Sequence, residues 1–418
     1  MVSSEIYYNK LQKKYSRKIT LGLSRIKKAL KILGNPEKKL KKPINIIGSD
    51  GKYTCLRSLQ CFIEANEQST STFISPHLFD LRTRIWLKNR FISLKEIKEY
   101  EKQISKLNVT LSLFEVLTLI YVLAASKEKT DYNILESGLL FFGDSTRLFS
   151  KPLVQASTNI NLQHIEWISP KTINEICRQK VGYLSNQTNI YIGKQNPKTL
   201  RIIKGILKKN KSNITYPSKW RIIKKGQKIY YKDYKHKISI RSNFIHSKGL
   251  IDNLGLAIKI ALDLNIKPHI IEKTIQKIFF EGRLQYINKG KLRKIVHRNE
   301  KILLDGAHSN TSAKNLYNYL KTIKLPIYCI WGMQKNKFPN KFLKNFKGIF
   351  EKIITVKIPN EQNACSADQL KIIASKQKYK VEKANNFKEA IKKITSNKPK
   401  IICFMGSLYF IGSVLKKN

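Results

Sequence analysis

The chain has 418 residues, 42% hydrophobic and 10% aromatic, and carries 80 Lys and Arg against 28 Asp and Glu for a formal net charge of +52. That length allows two or three domains with cores of their own. The basic surplus would suit a nucleic-acid binder, yet no helix-turn-helix, finger or RNA-binding aromatic motif accompanies it, so lysine spread over solvated surfaces is the preferred reading and nucleic acid the less favoured partner. No apolar run reaches the roughly 18 to 20 residues of a membrane span, and "MVSSEIYYNKLQKKYS" lacks the apolar stretch of a secretory signal. Membranes are therefore not expected as partners. The six cysteines are far apart with no metal spacing. They read as buried thiols of a reducing compartment, the cytoplasm or the interior of an organelle or endosymbiont.

Along the chain, helical patterns at 3–15 and 23–34 come first, the second stopped by Gly34 and Pro36. An apolar strand at 44–47 runs into the glycine turn "GSDGKYT" (48–54), and a helix continues to Glu64. "TFISPHL" (72–78) reads as a strand ending in a Ser-Pro break. The stretch 112–126 is apolar almost all round and predicts a buried helix. Central strands are predicted at 131–137 and 151–160. This alternation argues for a doubly wound parallel sheet, with ligands beyond the carboxyl ends of its strands. The densest basic stretch, 206–237, predicts a Lys-rich β excursion, and a helix pair at 249–264 and 267–280 follows it. Alternation restarts with strands at 301–304, 326–331, 352–357 and 400–404 between helices near 310–322, 366–375, 386–394 and 407–416. A second, smaller α/β domain is expected there, giving domains 1–284 and 285–418 with "GRLQ" (282–285) at the hinge.

The glycine turn carries the first chemistry. Gly48 and Gly51 let backbone N–H groups face an anion, and Lys52 brings a positive charge to β- and γ-phosphates. Thr54 opens the helix with a hydroxyl suited to Mg²⁺. Ser49 and Tyr53 complete the loop, although a strict phosphate loop has Ser or Thr directly after Gly-Lys. Glu136 ends a predicted strand and His164 follows the next, so both are expected at the same sheet edge. A carboxylate and an imidazole can help hold a divalent cation.

With these residues in place the chain resembles the folylpolyglutamate synthases and dihydrofolate synthases of the Mur-type ligase superfamily. The matching pieces run in order over nearly the whole length: "YNKL", "LGLSRIKKALKILGNPEKKL", "GSDGKYT", "SPHL", "FEVLT", "LESGL", "TNINLQH", "EICRQKVG", "GRLQ", "LLDGAHSNTSA", "WGMQKNK" and "GSLYFIGSVL". The resemblance implies a P-loop-type doubly wound ATPase domain followed by a Rossmann-like α/β ligase domain. It implies ATP at Gly48, Ser49, Gly51, Lys52, Tyr53 and Thr54, with Asn253 near the adenine and Arg283, Asp305 and His308 reaching ATP across the domain cleft. Metal-linked positions are Thr54, Glu136 and His164, for one or two Mg²⁺ ions, and K⁺ is admitted. Lys180 matches a lysine carried as a carbamate, so Lys52, His164 and Lys180 are the implied catalytic set. Ser75, Pro76 and His77 of "SPHL", with Phe114 and Glu115 of "FEVLT", match the part that receives the pterin-bearing substrate. The implied reaction joins L-glutamate to dihydropteroate or a reduced folate through an acyl phosphate, by a monomeric enzyme.

The sequence departs from the pattern at several places. The usual loop G-T-N-G-K-G-[ST] has Ser49, Asp50 and Tyr53 at its Thr, Asn and last Gly. The glycine-rich G-L-G-G-R-x-D-A-T-N loop appears as "GLLFFGDSTR" (138–147), the Asp before His164 is Gln163, and Ser309 follows "DGAH". Two classes of function stay open: an active ligase, and a ligase-fold protein that acts by binding. The first is preferred because Lys52, Thr54, Glu136, His164, Lys180, Asp305 and His308 are all kept.

Overall fold

The computed structural model describes residues 4–16, 21–226, 228–242, 245 and 247–418. It divides the chain into two compact units, Met1–Ser242 with Leu250–Ile278, and Asn243–Gly249 with Phe279–Asn418. The sequence puts the division after residue 284, whereas Phe279 already belongs to the second unit. Of the expected first helix, Ser3 lies outside the described residues, and Ser4–Lys14 is helical.

The first unit is built on one large sheet. Its strands are β1 (Pro43–Ile47), β2 (Thr70–Phe73), β3 (Ile85–Leu87), β4 (Arg90–Phe91), β5 (Tyr132–Glu136), β6 (Val154–Ser157), β7 (Asn189–Ile192) and β8 (Asn213–Thr215). They lie in the order β4-β3-β2-β5-β1-β6-β7-β8. β2, β5, β1, β6, β7 and β8 are mutually parallel, while at one edge β3 runs antiparallel to β2 and β4 antiparallel to β3. β5 and β6 are buried throughout and β1 nearly so, as expected of strands covered by helices on both faces. After β1 the chain builds to one side, and from β6 onward it builds to the other. The strand order therefore reverses at β1 and β6, which is where a ligand crevice forms in such sheets.

On one face, the helices Ser4–Lys14, Ser24–Ile32, Leu94–Ile104 and Leu113–Glu128 pack around a core that includes Leu11, Ile26, Ile97, Val116 and Ile120. The other face buries Ile47, Ile160, Ile176, Cys177, Ile190 and Ile203. The helices Leu94–Ile104, Ile173–Val181 and Pro197–Leu207 go beyond the elements expected from sequence. Each starts from a capping side chain, Ser93, Thr172 and Asn196 respectively, and such caps are easily missed among so many lysines.

The basic stretch begins as the end of a helix at Leu207 and then turns to β structure. β9 (Trp220–Lys225), β10 (Lys228–Asp233) and β11 (Lys237–Ser239) form a separate antiparallel sheet. Trp220, Tyr231 and Ile238 face inward, and Trp220 and Ile222 lie against Gly255 of the helix Lys248–Asp263.

The second unit holds β12 (Gln285–Ile287), β13 (Glu300–Asp305), β14 (Ile327–Trp331), β15 (Lys352–Thr355), β16 (Val381–Lys383) and β17 (Lys400–Met405) in the order β12-β13-β17-β14-β15-β16. All pairs are parallel except β12 with β13. Helices Asn310–Leu320, Ala367–Lys376, Phe387–Lys392 and Leu408–Lys416 alternate with these strands.

Candidate active site

The glycine turn leaves β1 at the point where the strand order reverses and enters the helix Lys52–Ala65. Its two glycines are required by their surroundings. Gly48 has φ +143°, and a Cβ there would sit 2.0 Å from Thr158 Oγ1. Gly51 has φ +87°, and a Cβ there would sit 2.0 Å from Asn253 Nδ2. The same observation places Asn253 against the loop. The N-terminal end of the helix carries the positive end of its dipole, which suits an anion.

Lys52 Nζ lies 3.8 Å from Glu136 Oε1, at the carboxyl end of the adjacent strand β5, and the two side chains are 11% and 6% exposed. Glu136 Oε2 accepts from the Ser75 N–H at 3.2 Å, which ties the "SPHL" segment to the same corner. Thr54 is buried in the first turn of the helix. His164 follows β6 with φ +60°, in the left-handed region.

Lys180, from the helix Ile173–Val181, is 1% exposed and donates to the carbonyls of Gly48 at 2.9 Å and Leu139 at 2.6 Å. Burial, reinforced by the positive charge of Lys52, pulls its pKa down to about 7. A neutral amine is the form that adds CO₂. In the arrangement present both carbonyls receive a donor, whereas a carbamate keeps a single N–H at Nζ and could donate to only one of them.

The altered 138–147 loop is well ordered by contacts. Asp144 accepts from the N–H groups of Gly138 and Leu139, both at 2.9 Å, and from the N–H and hydroxyl of Thr146 at 3.0 and 2.6 Å. Leu140 and Phe141, which replace glycines of the usual pattern, are fully buried in the core. Phe142 meets the Tyr183 ring at a tilt of 47°, with ring centroids 4.4 Å apart. Hydrophobic packing thus holds this loop where the usual pattern relies on small residues.

In the expected substrate segment, His77 accepts at Nδ1 from Arg84 Nε at 2.8 Å and meets the Tyr8 ring edge-on. Burial and the Arg84 charge push its pKa down to about 3, so the ring is neutral. Phe114 lies on Gly138, where a Cβ would come within 2.7 Å of its ring. Glu115 has a structural task. Its Oε2 closes the capping box with Ser112, and its Oε1 lies 3.2 Å from Arg25.

Within the second unit, Asp305 ends β13 and accepts from the N–H groups of Leu284 at 2.9 Å and Ala307 at 2.8 Å. Burial raises its pKa while the Arg283 charge opposes that rise. Arg283 Nη1 lies beside Gly306, and His308 Nδ1 is 2.7 Å from the Gly306 carbonyl oxygen. Arg283, Asp305 and His308 therefore form one cluster at the carboxyl end of β13.

Sequence reasoning did not assign Asn161 or Asp144 a task. Asn161 lies inside "TNINLQH", where a polar residue just past a central strand was the available signal. Among the described residues, no three His, Cys, Asp or Glu side chains gather as a complete metal site. The Thr54 hydroxyl and the Glu136 carboxylate are oxygen donors of the kind Mg²⁺ takes beside phosphate and water.

A phosphate-type loop at the switch point of a doubly wound sheet, followed by a second smaller α/β unit, defines a two-domain nucleotide-dependent ligase fold. A family model described as "Dihydrofolate synthetase, C-terminal domain" matches residues 286–417. A dihydrofolate synthetase of Saccharomyces cerevisiae is 23% identical, over 95% of this chain and 98% of its own. The structure of Mycobacterium tuberculosis folylpolyglutamate synthase complexed with ADP superposes with a TM-score of 0.87 at 19% identity, over 98% and 97% of the two chains. The bifunctional folylpolyglutamate synthase/dihydrofolate synthase of Yersinia pestis complexed with AMPPNP and Mn ion gives a TM-score of 0.84 at 20% identity, over 99% and 97%. Over nearly its whole length the chain is thus similar to proteins named folylpolyglutamate synthase or dihydrofolate synthase, and its last third matches the family model of the C-terminal domain.

Proposed function

We propose that this chain is an ATP-dependent ligase that forms an amide between L-glutamate and the carboxylate of dihydropteroate or a reduced folate. One observation carries the reading: Lys52 of the glycine loop and Glu136 of the neighbouring strand meet at 3.8 Å at the switch point, and the buried amine of Lys180 holds the same loop at the Gly48 carbonyl. The yeast relative and the family model bear the dihydrofolate synthetase name, which favours dihydropteroate as the first acceptor to test.

The chemistry asked of these residues is charge management. A carboxylate must be activated before an amine can displace an oxygen from it, and transfer of the γ-phosphoryl group to give an acyl phosphate does this. Lys52 is placed to stabilise negative charge on the phosphates. Thr54, Glu136 and His164 would hold Mg²⁺, which neutralises phosphate charge when bound. Within the second unit, the cluster of Arg283, Asp305 and His308 would offer charged groups to an anionic ligand. Phe114, with Ser75, Pro76 and His77, would receive the pterin end, His77 as a neutral ring.

The test is a product assay with dihydropteroate and a reduced folate run side by side. ADP and the glutamylated product should form only when ATP, Mg²⁺, glutamate and an acceptor are all present. A folded protein that forms no product with either acceptor overturns the reading and leaves a ligase fold that acts by binding.

A further inference from the structure

Two positions that depart from the family pattern, Asp50 and Gln163, are 113 residues apart in sequence and touch in the structure. Gln163 Nε2 donates to Asp50 Oδ2 at 3.0 Å, and Asn161 Nδ2 donates to the same oxygen at 2.7 Å. The backbone makes the same junction. The N–H groups of Ser49 and Asp50 both donate to the Asn159 carbonyl, at 2.8 and 3.3 Å. Ser49 Oγ accepts from the Asn161 N–H at 3.1 Å and lies 3.2 Å from its carbonyl oxygen. The loop that presents Lys52 is thereby fastened to the segment that carries His164.

The chemistry of the Asp50–Gln163 contact explains why both departures occur. An ionised carboxylate only accepts, and an amide can donate. A contact between Asn at the loop and Asp before the histidine has the same complementarity with the roles reversed. Changing one side alone would face carboxylate with carboxylate or amide with amide. We propose that Asp50 and Gln163 are a positioning pair in which carboxylate and amide have exchanged sides of one hydrogen bond. Asp50 is then a compensated replacement that keeps the nucleotide loop locked to the His164 turn. This inference rests on the proposed ligase reading, since it concerns the same loop.

A four-protein cycle tests it: wild type, Asp50→Asn, Gln163→Asp, and Asp50→Asn with Gln163→Asp. Each is measured for kcat, for the KM of ATP, and for ADP affinity by calorimetry. Gln163→Asp sets two carboxylates against each other and should raise the KM of ATP and the Kd of ADP about tenfold, while Asp50→Asn alone should change them about threefold. The double variant should return to within about threefold of wild type. Single effects that simply multiply in the double variant would overturn the pair. If Gln163→Asp does not fold, Gln163→Leu removes the donor without adding charge. It should weaken ADP binding to a similar degree, and Asp50→Asn should not rescue it; unchanged binding there would also overturn the proposal. Because ADP affinity is read without turnover, an inactive wild type whose ADP binding shows the rescue would sink the ligase reading and leave the pair standing. A wild type that neither turns over nor binds ADP would overturn both.

Discussion

The buried amine of Lys180 donates to the carbonyl of Gly48 at 2.9 Å across 132 residues of sequence. A lysine placed there carries a pH signature. Its pKa is about 7 in the folded chain, against an ordinary 10.5. Between those values the unfolded chain holds the extra proton, so stability should rise with pH, by up to about 1.4 kcal/mol per unit, and this contribution should be flat below pH 7. Buried thiols set the opposite limit, since burial pushes Cys55 up to about 12 and Cys177 up to about 11. They favour the folded state less once unfolded thiols ionise near pH 9. Thermal melts should show Tm rising between about pH 7 and 9, and Lys180→Met should flatten that rise. An unchanged slope in Lys180→Met would assign the effect to other groups.

Lys52 and Glu136 form an almost buried ion pair beside the loop, so removing either member leaves a charge in poor solvent. Lys52→Ala should lower turnover by at least about a hundredfold, because the cation facing the phosphates is lost. Glu136→Gln keeps an acceptor for the Ser75 N–H and removes only charge. It should raise the Mg²⁺ concentration needed for half-maximal rate about tenfold with a smaller change in the KM of ATP. Equal effects on both quantities would show that Glu136 serves nucleotide binding in general.

Two glycines offer opposite outcomes for the same substitution. Gly51→Ala forces a Cβ into a left-handed residue and onto the Asn253 amide. It should destabilise by about 1–2 kcal/mol and weaken ADP binding. Gly205 lies within the helix Pro197–Leu207, and its missing Cβ would meet open space. Gly205→Ala should therefore stabilise by about 0.5–1 kcal/mol and leave turnover alone. Denaturant midpoints distinguish the two.

These contrasts show what was legible in the sequence. The turn at 48–54, the end of β5 at Glu136 and the alternating strands of the second unit are local patterns, and each stands where the periodicity put it. Contacts that depend on strand order were not legible. Asp50 reaches Gln163 only because β1 pairs with β6, and neither residue's neighbours in sequence point to the other. Leu140 and Phe141 read as damage to a glycine loop, yet they fill core space beside Ile160 and Ile176. Glu115 sits in a matching motif, but its position three residues after Ser112 makes it a capping partner. The helix Leu94–Ile104 starts from the same kind of box, formed by Ser93 and Glu96.

The high net charge has one local consequence that can be measured. In the small sheet, Arg221 pairs with Lys232, and Lys232 pairs with Lys237, so three exposed cations stand in a row across three strands. Lys225 and Lys228 form another like-charged pair on the same face. Like charges directly opposite each other in a sheet destabilise it, and salt screens the repulsion. Lys232→Glu converts the row to alternating sign and should stabilise by about 0.5 kcal/mol at low salt, in keeping with exposed pairs. The gain should shrink as salt rises to about 1 M, where the screening length falls to about 3 Å. Tyr231, buried on the other face, keeps its packing in this variant, so the effect reports charge alone. Equal stability of the two proteins at low salt would show that the lysine side chains already splay apart enough to escape the repulsion.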